Sequence, residues 1–415
     1  MLKILHTSDW HLGHLLYDHD RSQEQADCMQ QIVETTRREA PDAVVVSGDV
    51  FDRSTPSQTS RELFINTLIA LRDVMEGRPV IVTAGNHDGK LMLDNDGRIF
   101  RLAGITVVGQ VWRTEDGSVD LDRHIIAVGS PSSPQGYIVA VPHIYENSYP
   151  QMNDSPADGN RMTAFFQALL DRTQMLNKTQ APVVMSAHLF IGGSDIGGHE
   201  ATRFGDRQVV GNCDSVSLPA LGHGYDYLAL GHIHRPQTLG SDAPAARYCG
   251  TPLPISFDEG GKHGLTMVSI AHHGATPAIR HIELHNPRPL LTLPEHPAPF
   301  AQAMAELIDF DADTDAYLRL NVLSDQPLPA DYRTQINNIM HNKRARYCTL
   351  KLTAVGERDD EDITTAQHFS PDNMPSPLEL ARMHYKNRFG SEMPDDLLQL
   401  FEQAERGARS SDQDE

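Results

Sequence analysis

Short, unbroken apolar runs that each end in a polar cluster organise the amino-terminal part of this chain. Residues 2–5 lead to Asp9 and His11, 43–46 to Asp49, 80–82 to Asn86, His87 and Asp88, 183–185 to His188, and 227–230 to His232 and His234. Such a run of Val, Ile and Leu, too short for a helix, predicts a strand buried on both faces. Residues 23–39 and 61–74 carry helical periodicity, which suits crossover connections in a parallel sheet. The expected fold class is therefore α/β. Ligands in such sheets sit at the carboxyl ends of strands, so five runs ending in metal-ligand chemistry predict one shared site.

After about residue 281 the pattern changes. Strand-like residues 290–293, 316–322 and 347–352 alternate with helix-like 299–307 and 332–340, which predicts a small separate α+β domain over 281–355. An acidic stretch at 357–362, followed by Pro371, Pro375 and Pro377, reads as a solvated linker over 356–377. Helical periodicity returns over 378–405: Leu378, Ala381, Tyr385 and Phe389 form one apolar face, and Leu397, Leu400, Phe401 and Ala404 another. Residues 406–415 are expected to be a disordered tail.

Composition narrows the class. A chain of 415 residues exceeds what one hydrophobic core usually needs, and it has no run of eighteen apolar residues to span a bilayer. The apolar block before His6 is too short for a secretory signal, so a cytoplasmic location is expected. Cys28, Cys213, Cys249 and Cys348 form no C-x-x-C pair, which suits reduced thiols better than a disulfide frame or zinc knuckle. The net charge of −21 argues against strong non-specific DNA affinity, since binding DNA means neutralising phosphates. Residues 356–415 hold fifteen Asp/Glu and six Lys/Arg, a net −9, which leaves −12 on the body.

In extended backbone residues i and i+2 face the same side, so Asp9 with His11, and His232 with His234, are expected to aim as pairs at one cavity. Adjacent residues point apart, leaving Asn86 able to bind metal while His87 faces substrate. Glycines stand before the key polar residues in Gly48-Asp49, Gly85-Asn86 and Gly231-His232, where the chain must turn sharply. Two divalent ions against the carboxylates of Asp9 and Asp49 would leave about +2, attractive to phosphate. A His, Asp and Asn donor set without Cys favours Mn²⁺ or Fe²⁺ over structural Zn²⁺ or Mg²⁺, and two divalent ions, foremost Mn²⁺, are the expected cofactor. D-x-H, G-D, N-H-D and H-x-H each recur by chance; their joint occurrence in this order is what singles out a dinuclear site. Asp88 is expected to orient His87, with loop capping as the bland alternative. His6 reads as a hydrogen-bonded core residue. His14, His199 and His223 read as loop residues, of which His14 and His199 could line a groove.

The motifs Asp9-Trp10-His11, Gly48-Asp49-Val50-Phe51-Asp52, Gly85-Asn86-His87-Asp88, Ser186-Ala187-His188 and Gly231-His232-Ile233-His234 resemble those of the calcineurin-like metallophosphoesterases. The opening residues 4–13 and the later 248–259 are similar, more narrowly, to the SbcD-type nucleases. The likeness spans most of the chain, weakening between about 110 and 180 and beyond 285. It implies a metallophosphoesterase β-sandwich flanked by helices over 1–280, with 281–355 as a capping domain that narrows the nuclease groove. By the same resemblance Asp9, His11, Asp49 and His234 hold one ion, and Asp49, Asn86, His188 and His232 the other, with Asp49 bridging. His87, in a catalytic role, would stabilise or protonate the leaving 3′-oxygen. The resemblance also implies a homodimer, DNA ends and hairpins as substrates, and an SbcC-type ATPase partner docked on residues 378–405, two chains of each. Archaeal and eukaryotic relatives usually carry a second active-site histidine where this chain has Asp52, so Asp52 is given no catalytic role.

Three classes remain to be weighed: a DNA nuclease, a small-substrate phosphodiesterase or protein phosphatase, and an idle scaffold for an ATPase. The scaffold is weakest because no ligand is missing. A small-substrate enzyme would need neither the capping-like domain nor the detached carboxyl-terminal helices.

Overall fold

The first strand shows why the apolar runs are continuous. In β1 (Leu2–Thr7) Leu2 and Ile4 face one way and Leu5 the other, and all three are fully buried. The computed structural model describes residues 1–130, 132–152, 160–197, 201–204, 207–210, 213–240, 245–324 and 327–354, and beyond these Leu378, Arg382, Tyr385, Met393, Pro394, Leu397 and Leu398. Parallel to β1 run β2 (Ala43–Ser47), β3 (Val80–Thr83) and β4 (Ile105–Val108), joined by α1 (Ser22–Glu39), α2 (Gln58–Met75) and α3 (Lys90–Leu102).

A second sheet lies behind the first. It contains β5 (Ile125–Ser130), β6 (Ser133–Ala140), β7 (Val183–His188), β8 (Tyr227–Gly231), β9 (Gln237–Leu239) and β10 (Ala245–Tyr248), in the order β9-β10-β8-β7-β6-β5. The first sheet is completed by the antiparallel strands β11 (Gly264–Ile270) and β12 (Ala278–Glu283), in the order β12-β11-β1-β2-β3-β4. Ile4, Val45 and Ile81 from one sheet pack with Val184, Tyr227 and Ala229 from the other. On the outer faces Leu5, Val44 and Val82 pack under Ile32, Phe64 and Leu68, while Met185 and Leu230 pack under Phe165 and Leu169 of α4 (Arg161–Leu176). Each fully buried Val, Leu, Ile or Phe contributes about 1.5–3 kcal/mol, so both faces of these strands must be apolar. His6 fits this scheme as a core residue, its Nδ1 3.0 Å from the Tyr227 hydroxyl. A small four-stranded sheet (Phe190–Ile191, Ala201–Phe204, Arg207–Val210, Cys213–Val216) adjoins the second sheet's loops.

Residues beyond 290 build a third sheet of parallel strands, β13 (Leu290–Ala298), β14 (Tyr317–Ser324) and β15 (Arg346–Ala354), crossed by α5 (Phe300–Asp309) and α6 (Tyr332–Met340). It has its own apolar cluster of Ala303, Leu307, Leu318, Leu320, Val322 and Ile336. Polar contacts tie it to the body: Glu24 of α1 accepts from Arg288 (2.6 Å) and from the Tyr317 hydroxyl (2.8 Å). Met1–Gly356 is one compact unit and 357–415 another. In the latter, Leu378, Arg382 and Tyr385 are helical, and the Leu398 N–H donates to the Pro394 carbonyl at 3.0 Å. The expected linker over 356–377, the tail over 406–415, His199, and Ala381, Phe389, Leu400, Phe401 and Ala404 lie outside the described residues. Among those described, no helix is long and apolar enough to cross a membrane. Cys28, Cys213 and Cys249 are buried free thiols, and Cys348 is a half-buried one.

Candidate metal centre

Most of these strands stop just short of the site, β7 ending on His188 itself, and beyond β1, β2 and β8 the chain turns at once. Asp9 (φ 52°), His11 (φ 43°), Asp49 (φ 48°) and His232 (φ 106°) all adopt the left-handed backbone region. Extended i, i+2 geometry therefore does not pair Asp9 with His11 or His232 with His234; tight left-handed turns beyond β1 and β8 do. Such residues cost of order 1–3 kcal/mol each and persist where surroundings over-determine them. Here the Asp9 N–H donates to the Gly48 carbonyl (2.9 Å) and the His11 N–H to the Asp49 carbonyl (3.1 Å), locking the first two strand-end loops together. Gly85 permits the third loop to join them, because a Cβ there would run into the Asp49 carboxylate.

Side chains from five loops then converge. Donor atoms of Asp9, His11 and His234 all lie within 4.8 Å of one another, and so do those of Asp49, His188 and His232. His11 Nε2 is 3.1 Å from His234 Nε2. The Asn86 side-chain oxygen is 2.9 Å from His188 Nε2 and 3.1 Å from His232 Nδ1. Asp49 Oδ2 stands between the groups, 3.9 Å from His11 Nε2 and 3.3 Å from His188 Nε2. Imidazole nitrogens, carboxylates and an amide oxygen turned on one another form a donor set that suits divalent cations of borderline softness. The chemistry of the residues thus fits two divalent ions.

The outward ring nitrogens of His188, His232 and His234 are tied down, which fixes the inward ones. His188 Nδ1 donates to the Ser47 carbonyl (2.9 Å) and His232 Nε2 to the Val210 carbonyl (3.0 Å). His234 Nδ1 is 3.0 Å from Glu259, a buried carboxylate that also accepts from the Ile255 N–H (3.2 Å). Nothing in local spacing marks Glu259: it follows His234 by 25 positions, in a loop without a strand run of its own. Its neighbour Asp258 pairs with Arg319 of β14 at 2.7 Å, so the third sheet grips the loop that supports His234.

Asp52 also belongs to the site's surroundings. Its carboxylate lies 2.9 Å from His14 Nδ1 and 3.7 Å from His11 Nδ1, and its backbone carbonyl accepts from His87 Nδ1 at 2.8 Å. His14 is thereby a hydrogen-bond partner of Asp52, whereas His223 is an exposed loop residue. His87 is exposed at the mouth, its ring 5.1 Å from that of His11.

The expectation that Asp88 orients His87 needs correction. Asp88 is buried and spends its carboxylate on backbone N–H groups of Val50 (3.2 Å), Phe51 (2.9 Å) and Gly85 (2.8 Å), while the Asp52 carbonyl orients His87. Residues 86–88 form a bend beyond β3, and its hydrogen bonds, not strand alternation, turn Asp88 inward and leave His87 at the surface. Asp88 is a staple between the loops bearing Asp49 and Asn86. A buried donor left unpaired costs about 1–3 kcal/mol, so Asp88→Ala should lose about 3 kcal/mol or more of stability. Urea unfolding at unchanged m measures it; a loss below about 1 kcal/mol would mean that the staple is dispensable.

Charge in the site is delicately held. Burial and the nearby Asp49 outweigh opposing histidines and push Asp9 up to about 6, while Asp49, though buried, is driven well below the usual carboxylate range by His188 and His11. Burial alone would lower His11 and His188, but carboxylates raise both to about 9: Asp52, Asp49 and Asp9 act on His11, Asp49 and Asp9 on His188. Cations entering this site must displace those protons.

Compared with known proteins, residues 2–236 match the calcineurin-like phosphoesterase family. The chain is 33% identical over 318 residues to the D subunit of nuclease SbcCD from Rhodobacter capsulatus, covering 74% of this chain and 75% of that one. It is 26% identical over 421 residues to the Bacillus subtilis protein of that name, covering 99% of this chain and all of the other. The Escherichia coli K12 counterpart is 26% identical over 331 residues, 79% of each. Family match, near-full-length likeness and a centre fit for divalent ions agree: this chain belongs to the calcineurin-like phosphoesterases, and it is a hydrolytic enzyme.

Proposed function

We propose that this chain is the nuclease subunit of an SbcCD-type complex, a metal-dependent double-strand exonuclease and single-strand endonuclease acting in DNA end processing, repair and recombination. The observation that carries a two-ion reading is Asp49 Oδ2, poised between His11 and His188. Asp9, His11, Asp49 and His234 would hold one ion, and Asp49, Asn86, His188 and His232 the other, with Mn²⁺ the expected metal. When bound, such ions supply Lewis-acid stabilisation of phosphoryl oxygens and lower the pKa of water. The chain's own residues do the rest. His87, with Nδ1 committed to the Asp52 carbonyl, keeps Nε2 available to hold or pass a proton at the leaving 3′-oxygen. Asp88 and Glu259 keep the ligand loops in place.

The alternative is a small-substrate phosphodiesterase or protein phosphatase using the same centre. Activity with Mn²⁺ on linear duplex DNA, a chromogenic phosphodiester and a phosphoprotein separates them. Strong hydrolysis of the phosphoprotein with intact duplex would reject the nuclease reading.

In this reading residues 281–355 cap the groove and select DNA ends, and two nuclease chains pair with each other and with two SbcC-type ATPase chains. The partner would dock on residues 378–405, whose apolar faces are too short to be stable helices alone in water. It would also supply DNA-binding charge that an acidic chain of net −21 lacks. Deleting residues 376–415 should leave Mn²⁺-dependent hydrolysis of short substrates within about twofold while greatly weakening pull-down of the ATPase. A truncated chain that binds the ATPase as tightly as the full one would place the docking surface elsewhere.

A further inference from the structure

Away from the metal centre, a cleft of about 510 Å³ opens between α3 and the segment after β4. Arg98, Arg101, Arg113 and Arg123 line it, together with Asp94 and Trp112. All four arginines are exposed, and among the described residues none has a carboxylate within ion-pairing distance. In a chain of net −21, four guanidinium groups on one cleft are out of keeping with the rest of the surface. The two carboxylates facing them are already engaged: Asp94 accepts from Trp112 Nε1 (2.6 Å), and Asp120 from the Arg123 backbone N–H (3.4 Å). Of the residues that line the cleft, four are arginines and Asp94 is the one acid, so its lining is net positive.

The cluster is also preorganised. Trp112 is nearly buried, and the guanidinium carbons of Arg123 and Arg101 lie 4.1 and 5.2 Å from its ring centroid. Stacking on an aromatic face limits the freedom that an arginine must otherwise lose on binding. Arg113 is pinned through its Nη1, which donates to the Gly117 carbonyl at 2.8 Å. Burial lowers the affinity of Arg123 for its proton, and the nearby Arg101 and Arg98 lower it further, a repulsion that a bound anion would relieve.

Helix α3 links the cleft to the loop of the metal centre. Helix α3 begins at Lys90, three residues after His87, and Arg98 and Arg101 follow Lys90 by eight and eleven positions. At 1.5 Å per residue they stand about 12–17 Å along the axis from Lys90, the helix's first residue, which follows the loop that carries Asn86 and His87. With one phosphate per strand every ~3.4 Å of duplex, roughly four or five base pairs bridge that span.

We propose that this cleft is a phosphate-binding site for the DNA backbone, set about half a duplex turn from the scissile bond, where it fixes the register of the strand in the groove. Its ligand is sequence-independent phosphate, since planar forks on a rigid ring read two oxygens at a time and carry no base information. This inference rests on the nuclease reading above.

The test is duplex binding by the full chain as a function of salt, comparing the unaltered protein with Arg98→Gln/Arg101→Gln/Arg123→Gln and with the corresponding triple change to Lys. The slope of log K against log salt should become shallower by about 2 to 3 in the Gln variant, at ~0.9 for each phosphate no longer neutralised, and stay near the original in the Lys variant. Hydrolysis of the chromogenic phosphodiester should remain within about twofold in both, which establishes that fold and metal centre are intact. A Gln variant on the original salt line, or one that binds duplex more tightly because the cleft serves an acidic protein segment, overturns the proposal. If the unaltered chain neither binds nor cuts duplex DNA at any salt, the nuclease reading fails as well, and the two failures are told apart.

Discussion

Asp49→Ala is expected to strip the protein of both ions and of measurable hydrolysis while leaving a folded chain. Oδ2 of this carboxylate faces His11 at 3.9 Å and His188 at 3.3 Å, so one substitution removes a donor from each group. Loss of an outer partner of a metal ligand typically costs 10–100-fold in affinity; loss of a shared ligand should cost more at each position. Asp49 holds His11 and His188 protonated, and without it both buried imidazoles fall back toward the neutral form that burial favours, so no unpaired charge is left inside and the chain should stay folded at neutral pH. Asp49→Asn should share the metal loss, yet keep an oxygen to accept the His87 N–H, now 2.9 Å from Asp49 Oδ1. Metal analysis of the dialysed variants, with unfolding curves beside it, decides the matter. Two ions per chain and intact turnover in Asp49→Ala would rule out a shared carboxylate.

How much of this site can be read from sequence depends on how a residue is held. Ligands carried at strand ends are visible because the strand leaves a continuous apolar run before them: residues 43–46 before Asp49 and 227–230 before His232. Backbone conformation beyond the strand is not visible. Asp9 and His11 look like an extended pair, but hydrogen bonds from their N–H groups to Gly48 and Asp49 impose left-handed turns that only the neighbouring loop reveals. Supporting groups are harder still. Glu259 reaches His234 from a loop whose course is set by Pro254, held by buried Arg21, and by Asp258, held by Arg319 of β14, and both of those arginines are far away in sequence. Asp52 is visible as a residue beside a motif, yet its work on His14 and His87 depends on the turn after Phe51. The third sheet was legible as alternating periodicities, because its strands and helices each pack on neighbours within 65 residues.

His87→Ala should separate chemistry from metal binding. His87 is exposed at the mouth of the centre, and its Nδ1 is spent on the Asp52 carbonyl, so its ring is aimed without serving either converging group of Asp9, His11 and His234 or Asp49, His188 and His232. Its ring also lies with donor atoms of His11 and Asp52 in a third cluster, so metal content measured beside the rate tells a ligand from a proton donor. Truncation removes an exposed ring, and the Asp52 carbonyl is left to water, so the stability cost should be within about 0.5 kcal/mol. General acid–base assistance is typically worth about 10²–10⁴-fold, and a loss of that size in kcat with little change in KM is expected. The substrate's leaving group then discriminates between roles. A chromogenic diester expelling a weakly basic phenolate needs little protonation, and it should lose far less rate than DNA, whose 3′-alkoxide is a poor leaving group. Equal losses on both substrates would point to charge stabilisation at phosphorus, and metal lost in proportion to rate would make His87 a ligand.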